Sequence, residues 1–187
     1  MKSGRSRGFT LIIVILVLAF LLSVGVALLS VTGAGPRLAD NVRTQEQALN
    51  AAEAGFDSAW GNLGLAFEDG EFTSFDGIYL KDPEGVDLPT SENYFRKKTD
   101  WEMLSLLDQD GDGAADYTGV LFYKQYFLPL GSESNSGLTY TVFLIDDEAA
   151  GGAMDHTDVL LVCIGTSGRG SRSTTSRLEI LIGVEGS

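Results

Sequence analysis

The sequence predicts an α+β fold, in which a long N-terminal hydrophobic helix packs on an antiparallel β-sheet of about four strands. Three observations lead there. The chain begins with an apolar block, and no charge occurs between Arg7 and Arg37. A second stretch follows with apolar residues at helical spacing. From Tyr117 onward, runs rich in β-branched and aromatic residues alternate with turn signals.

The apolar block runs from Phe9 to about Ser30. It is long enough to cross a bilayer, which takes about 20 residues. Lys2, Arg5 and Arg7 precede it and are expected to stay on the cytoplasmic side, leaving the bulk of the chain outside the inner membrane. Val31-Thr32-Gly33-Ala34-Gly35-Pro36 interrupts the helical pattern. Glycine weakens a helix and proline removes a hydrogen bond, so a kink or a locally melted stretch is expected there. Helical character then resumes, so that 31–60 is the amphipathic second half of the helix, in which Leu38, Val42, Leu49, Ala52, Phe56 and Ala59 form one apolar stripe for packing under a sheet.

Residues 61–187 read as an extracytoplasmic, β-rich globular domain. The stretch to about Thr99 mixes Gly, Asp, Pro and aromatic residues, as in a loop-rich connection with short strands. Arg96-Lys97-Lys98 within it reads as a solvated turn. The predicted strands cover Tyr117–Leu128, Leu138–Ile145, Val159–Thr166 and Ser173–Val184, the last two joined by a turn at Gly168-Arg169-Gly170-Ser171. On the fourth, Thr174, Ser176, Leu178, Ile180 and Ile182 share a face, and its later half is the buried part. Such runs form an antiparallel meander.

A chain of 187 residues allows one globular domain plus an appended segment. Thirteen basic residues face 26 acidic ones, for a net charge of -13. This balance repels phosphate and excludes a nucleic-acid partner on electrostatic grounds, whereas it suits divalent cations and solubility. Cys163 is the single cysteine, so no intramolecular disulfide forms, and its β-like surroundings predict a buried small hydrophobe. His156 is the single histidine. With no phosphate loop, metal-protease helix or nucleophile elbow, the sequence offers no enzyme machinery.

Arg7-Gly8-Phe9-Thr10-Leu11-Ile12 resembles the prepilin peptidase site of type IV pilins and of type II secretion pseudopilins. The resemblance implies a leader at 1–8, cleavage by prepilin peptidase between Gly8 and Phe9, and methylation of the new N-terminal Phe9. It also implies that the helix at 9–30 is retained, first in the inner membrane and then in a pilus or pseudopilus. Two other readings compete. In a cleaved secretory signal, Thr32-Gly33-Ala34 would be the cut site, although the apolar core is too long for that class. A plain single-pass anchor leaves Gly8-Phe9-Thr10-Leu11 unexplained.

Most members of the family carry Glu five residues after the cut, where this chain has Ile13. The family Glu is thought to pair with the amine of a neighbouring subunit. Its absence implies a minor subunit at or near a filament tip. Ala48-Leu49-Asn50-Ala51-Ala52-Glu53-Ala54-Gly55-Phe56 looks like the segment found at this place in PilX-type minor pilins, and tip pseudopilins of the GspK type are the near alternative. The expected function is structural. The chain would prime or cap assembly, or present an adhesive surface, with other pilins or pseudopilins as partners through the N-terminal helix. The alternatives are a minor pseudopilin of a type II secretion system and a membrane-anchored extracellular calcium-binding module that forms no filament.

Asp108-Gln109-Asp110-Gly111-Asp112-Gly113-Ala114-Ala115-Asp116 is the sharpest local motif. Asp108, Asp110, Asp112 and Asp116 occupy the first, third, fifth and ninth places of a calcium loop, Gly113 the sixth, and Ala114 the seventh, where a backbone carbonyl coordinates. Alternation lets carboxylates converge on Ca²⁺ while the chain wraps round it. The twelfth place, which holds a bidentate Glu in an EF-hand, is Gly119, so the loop resembles the shorter loops of secreted proteins. Trp101–Leu107 is expected to form an entering helix. Asp146-Asp147-Glu148 and Asp155-His156-Thr157-Asp158 read as a mobile acidic loop, with a second cation site as the alternative.

Overall fold

The computed structural model describes residues 6–70, 72–127, 137–146, 157–168 and 173–183. Two compact units emerge, Met1–Arg43 and Thr44–Ser187. The helix α1, Ser6–Glu68, contributes to both. In the first unit the backbone is helical through Val31–Pro36 rather than melted. Proline keeps a helical φ and forgoes a single hydrogen bond, which a helix tolerates at a local cost.

The second unit is built on a four-stranded antiparallel sheet in the order β1-β2-β3-β4. The strands are β1 Val120–Tyr126, β2 Thr139–Ile145, β3 Asp158–Ser167 and β4 Thr174–Gly183. All four lie where their β-branched and aromatic runs predict. Leu128, Val184 and the Arg169-Gly170-Ser171 turn lie outside the described residues.

Along β3 the run Val159–Cys163 is buried at every position, and Ile164 continues it. Successive strand residues point to opposite faces, so an unbroken buried run means that both faces are covered. On one face, Tyr140, Val142, Leu144, Val159, Leu161, Cys163 and Ile182 cluster with Ala52, Ala59 and Leu63 of α1. On the other, Phe143, Ile145, Leu160, Val162 and Ile164 meet Leu80, Val86, Phe95, Met103 and Leu107. The connection between α1 and β1 is therefore the third layer of a sandwich. It contains no strand among its described residues, only a short 3-10 turn, Phe95–Lys97, and the helix α2, Asp100–Leu106. Its strand-like aromatics serve as core plugs: Phe75 joins the α1 side, and Phe95 the opposite side.

The face that α1 buries keeps Ala52, Phe56 and Ala59 of the predicted stripe and adds Ala48, Ala51 and Leu63. Ala48, Ala51, Ala52 and Ala59 are fully buried, while Val42 and Leu49 are 49% and 40% exposed. Where helix and sheet come closest, the helix residues are small. A Cβ on Gly165 would overlap the carbonyl of Ala48 and stand 2.5 Å from the Ala52 nitrogen; one on Gly55 would stand 3.0 Å from Val142 Cγ2. Backbone thus meets backbone at Gly165. The helix also runs eight residues beyond the expected end at 60, placing Leu63 in the core.

The basic trio is partly engaged. Arg96 Nε donates to Glu179 Oε2 of β4 at 2.9 Å, and Lys97 Nζ donates to the Ser91 carbonyl at 2.7 Å. Arg177 of β4 binds the third layer more firmly, donating to Asp100 Oδ1 at 2.7 Å and to the Phe95 and Lys98 carbonyls at 3.2 and 3.1 Å. Cys163 is fully buried, as its sequence context predicts, and burial pushes its thiol pKa up to about 12.

Candidate functional site

Two features have functional chemistry: the apolar half of α1 and the acidic loop that precedes β1. In the first unit, Leu11–Leu29 is a 19-residue span apolar enough to cross a membrane. At 1.5 Å per residue it is about 28 Å long, close to the hydrocarbon thickness of a bilayer. Its large apolar side chains are uncovered, with Leu22 71% and Leu29 74% exposed. Water does not tolerate so large an apolar surface, so lipid or other helices must cover it.

Phe9 lies inside α1 and is 69% exposed, and the Gly8–Phe9 bond falls within the helix. Ile13, at the position of the family Glu, is 46% exposed among apolar neighbours. A carboxylate at that depth would cost about 2.5–3.5 kcal/mol unless paired. Isoleucine carries no such cost, and it neutralises no neighbouring amine.

The acidic loop follows α2, whose start is fixed by a capping box. Thr99 Oγ1 accepts from Glu102 N, while Glu102 Oε2 accepts from Thr99 N at 2.7 Å. These hydrogen bonds hold the Glu102 carboxyl below its ordinary pKa. Gly111 and Gly113 then take φ of 75° and 90°, left-handed values that other residues adopt only under strain. These turns fold the loop back, and Asp116 N donates to the Leu107 carbonyl at 3.0 Å.

The structure brings Asp108, Asp110 and Asp116 together, each offering an oxygen within 4.8 Å of the others. Asp112 is not part of that trio: its Oδ1 accepts from Ala114 N at 2.8 Å. Asp110 Oδ1 likewise accepts from Asp112 N at 3.1 Å, and Asp116 Oδ2 from Gln109 N at 2.7 Å. Ala114 is exposed at the predicted carbonyl position. Oxygen ligands of this kind, borne on an acidic loop, suit a hard divalent cation.

Two further residues act at Asp108 that local sequence reading missed. Asp108 Oδ2 accepts from the Tyr123 hydroxyl at 3.0 Å and from Lys124 Nζ at 3.3 Å. Consecutive strand residues ordinarily face opposite ways. Here the β1–β2 register shifts between Phe122 and Gln125, and Lys124 adopts φ 44°. The bulge lets both side chains reach the same carboxylate, and Thr141 Oγ1 accepts from the displaced Lys124 N at 3.0 Å. Burial alone would raise the Asp108 pKa, but the hydrogen bonds from Tyr123, Lys124 and Gly113 outweigh it and leave the pKa lowered. Burial, then the Asp108 contact, raises the Tyr123 pKa. Lys124 sits where a bound cation would compete with it.

Of the second acidic stretch, Asp146 is buried at the end of β2, whereas Asp147, Glu148, Asp155 and His156 lie outside the described residues.

Residues 7–57 match the model of a protein family described as PilX N-terminal. Over those residues the chain is similar to the N-terminal region of PilX-type minor pilins. The match spans the apolar half of α1 and most of its sheet-packing segment, including Ala48-Leu49-Asn50-Ala51-Ala52-Glu53-Ala54-Gly55. The matched segment resembles that of a type IV pilus component, and its apolar helix fits membrane anchoring. The acidic loop, the sheet and the third layer all lie outside the matched residues. No curated protein and no solved structure matches the chain.

Proposed function

We propose that this chain is a minor subunit of a type IV pilus that primes or caps the filament through its N-terminal helix. The observation that carries this reading is the uncovered apolar span Leu11–Leu29, lying within the PilX-matched residues. Prepilin peptidase would cut between Gly8 and Phe9, and methylation would follow on Phe9. The span would rest in the inner membrane with the second unit outside the cytoplasm, then pack sideways against like helices. Ile13 favours a terminal or sparse place over a repeating one, since each repeat would leave a neighbour's amine unpaired.

Asp108, Asp110 and Asp116 would hold Ca²⁺, with Asp112 and the Ala114 carbonyl as further oxygen donors from the loop. The cation would brace the loop that joins α2 to β1.

The test is to express the full chain with a prepilin peptidase and sequence the mature N-terminus. Phe9 at the first position is expected, as is the absence of long filaments made from this chain alone. A mature chain beginning at Gly35, or an intact Met1, overturns the pilin reading. Long homopolymers of the unmodified chain would leave that reading standing and overturn the minor role.

A further inference from the structure

We draw no further inference here: the strongest candidate, the surface groove beside α1 lined by Glu53, Asp57, Phe127 and Leu138, carries nothing because nothing among the described residues shows what covers it.

Discussion

Gly165 is where the docking of α1 on its sheet is most directly testable. A Cβ there meets two backbone groups, the Ala48 carbonyl and, at 2.5 Å, the Ala52 nitrogen, and backbone cannot rotate away as a side chain can. Relieving the second contact to the ordinary 3.4 Å demands a shift of roughly 0.9 Å. A gap of that size forfeits a quarter to a half of the dispersion energy of the atoms it separates. Ala48 and Ala52 both sit in that contact with no exposure. Gly165→Ala is therefore expected to cost about 3 kcal/mol, the upper end for overpacking. For a unit of this size that lowers Tm by about 6–12 °C.

The assay is thermal unfolding of the full chain in detergent micelles, followed by near-UV circular dichroism, with two other helix-associated glycines for comparison. At Gly55 the obstacles are the Val142 and Tyr140 side chains, so Gly55→Ala should cost about 1 kcal/mol or less. At Gly61 nothing lies within 4 Å, so Gly61→Ala should gain about 0.5–1 kcal/mol from helix propensity. The order Gly165, Gly55, Gly61 is the prediction. A Gly165→Ala protein as stable as wild type, or a Gly61→Ala protein as damaged as Gly165→Ala, would refute backbone-to-backbone docking.

Three further outcomes are expected. Arg177→Met removes the donor that joins β4 to Asp100 and two carbonyls of the third layer; a loss of about 2–4 kcal/mol in chemical denaturation is expected, and a change under 0.5 kcal/mol would show the bridge to be idle. The raised Cys163 pKa makes a signed prediction for alkaline stability. The unfolded thiol ionises near 9 and the folded one near 12, so this group's contribution is intact below pH 9 and is lost as pH rises toward 12. Its slope is about 1.4 kcal/mol per pH unit, and Cys163→Ala should flatten the stability curve by that amount in that window; an unchanged curve would mean that the thiol is not protected. If the acidic loop binds calcium, millimolar Ca²⁺ should raise the Tm of the wild type but not of Asp108→Asn, and Lys124→Met should tighten binding by up to about fivefold, since it removes a half-exposed competing charge. Calorimetry showing no heat for wild type or Lys124→Met would remove the site.

The strands were legible because each is a dense run of β-branched and aromatic residues, and such runs report burial whatever lies opposite. Val159–Ile164 lacks polar alternation, as befits a strand covered on both sides, although only the helical side was expected. The composition of 61–99 did not show what covers the second face, because a layer built from turns has no periodicity to read. Its aromatics are spaced by the sheet that they plug, not by any repeat of their own. The stripe on α1 was right at Ala52, Phe56 and Ala59 and misled at Val42 and Leu49 for a related reason. Hydrophobicity ranks Leu49 and Val42 above alanine, yet contact at Gly165 selects for size, and alanine is what fits. Small residues in a helix are a docking signal only when the partner surface is known to be flat or glycine-bearing.

The acidic loop divides along the same line. Its carboxylate spacing and its glycine at the sixth place are local facts; the structure brings Asp108, Asp110 and Asp116 together, leaves Asp112 accepting from Ala114 N, and gives Gly113 a left-handed φ. The residues that set the charge state of Asp108 are not local. Tyr123 and Lys124 lie 15 and 16 positions downstream and reach it together only because β1 slips register against β2. A bulge leaves little trace in a strand's composition, since Val120–Tyr126 would read the same with strict alternation. The slip that lets Tyr123 and Lys124 meet at one carboxylate also places an ammonium at the candidate calcium locus. Cation affinity and the register of an edge strand are thereby tied together. A substitution that straightens β1 should alter calcium binding without touching a ligand. Thr141→Val is the cleanest such change, because it removes the hydroxyl that accepts from the bulged Lys124 amide and leaves every carboxylate in place. Calorimetry giving Thr141→Val and wild type the same Ca²⁺ affinity would break the tie between register and site.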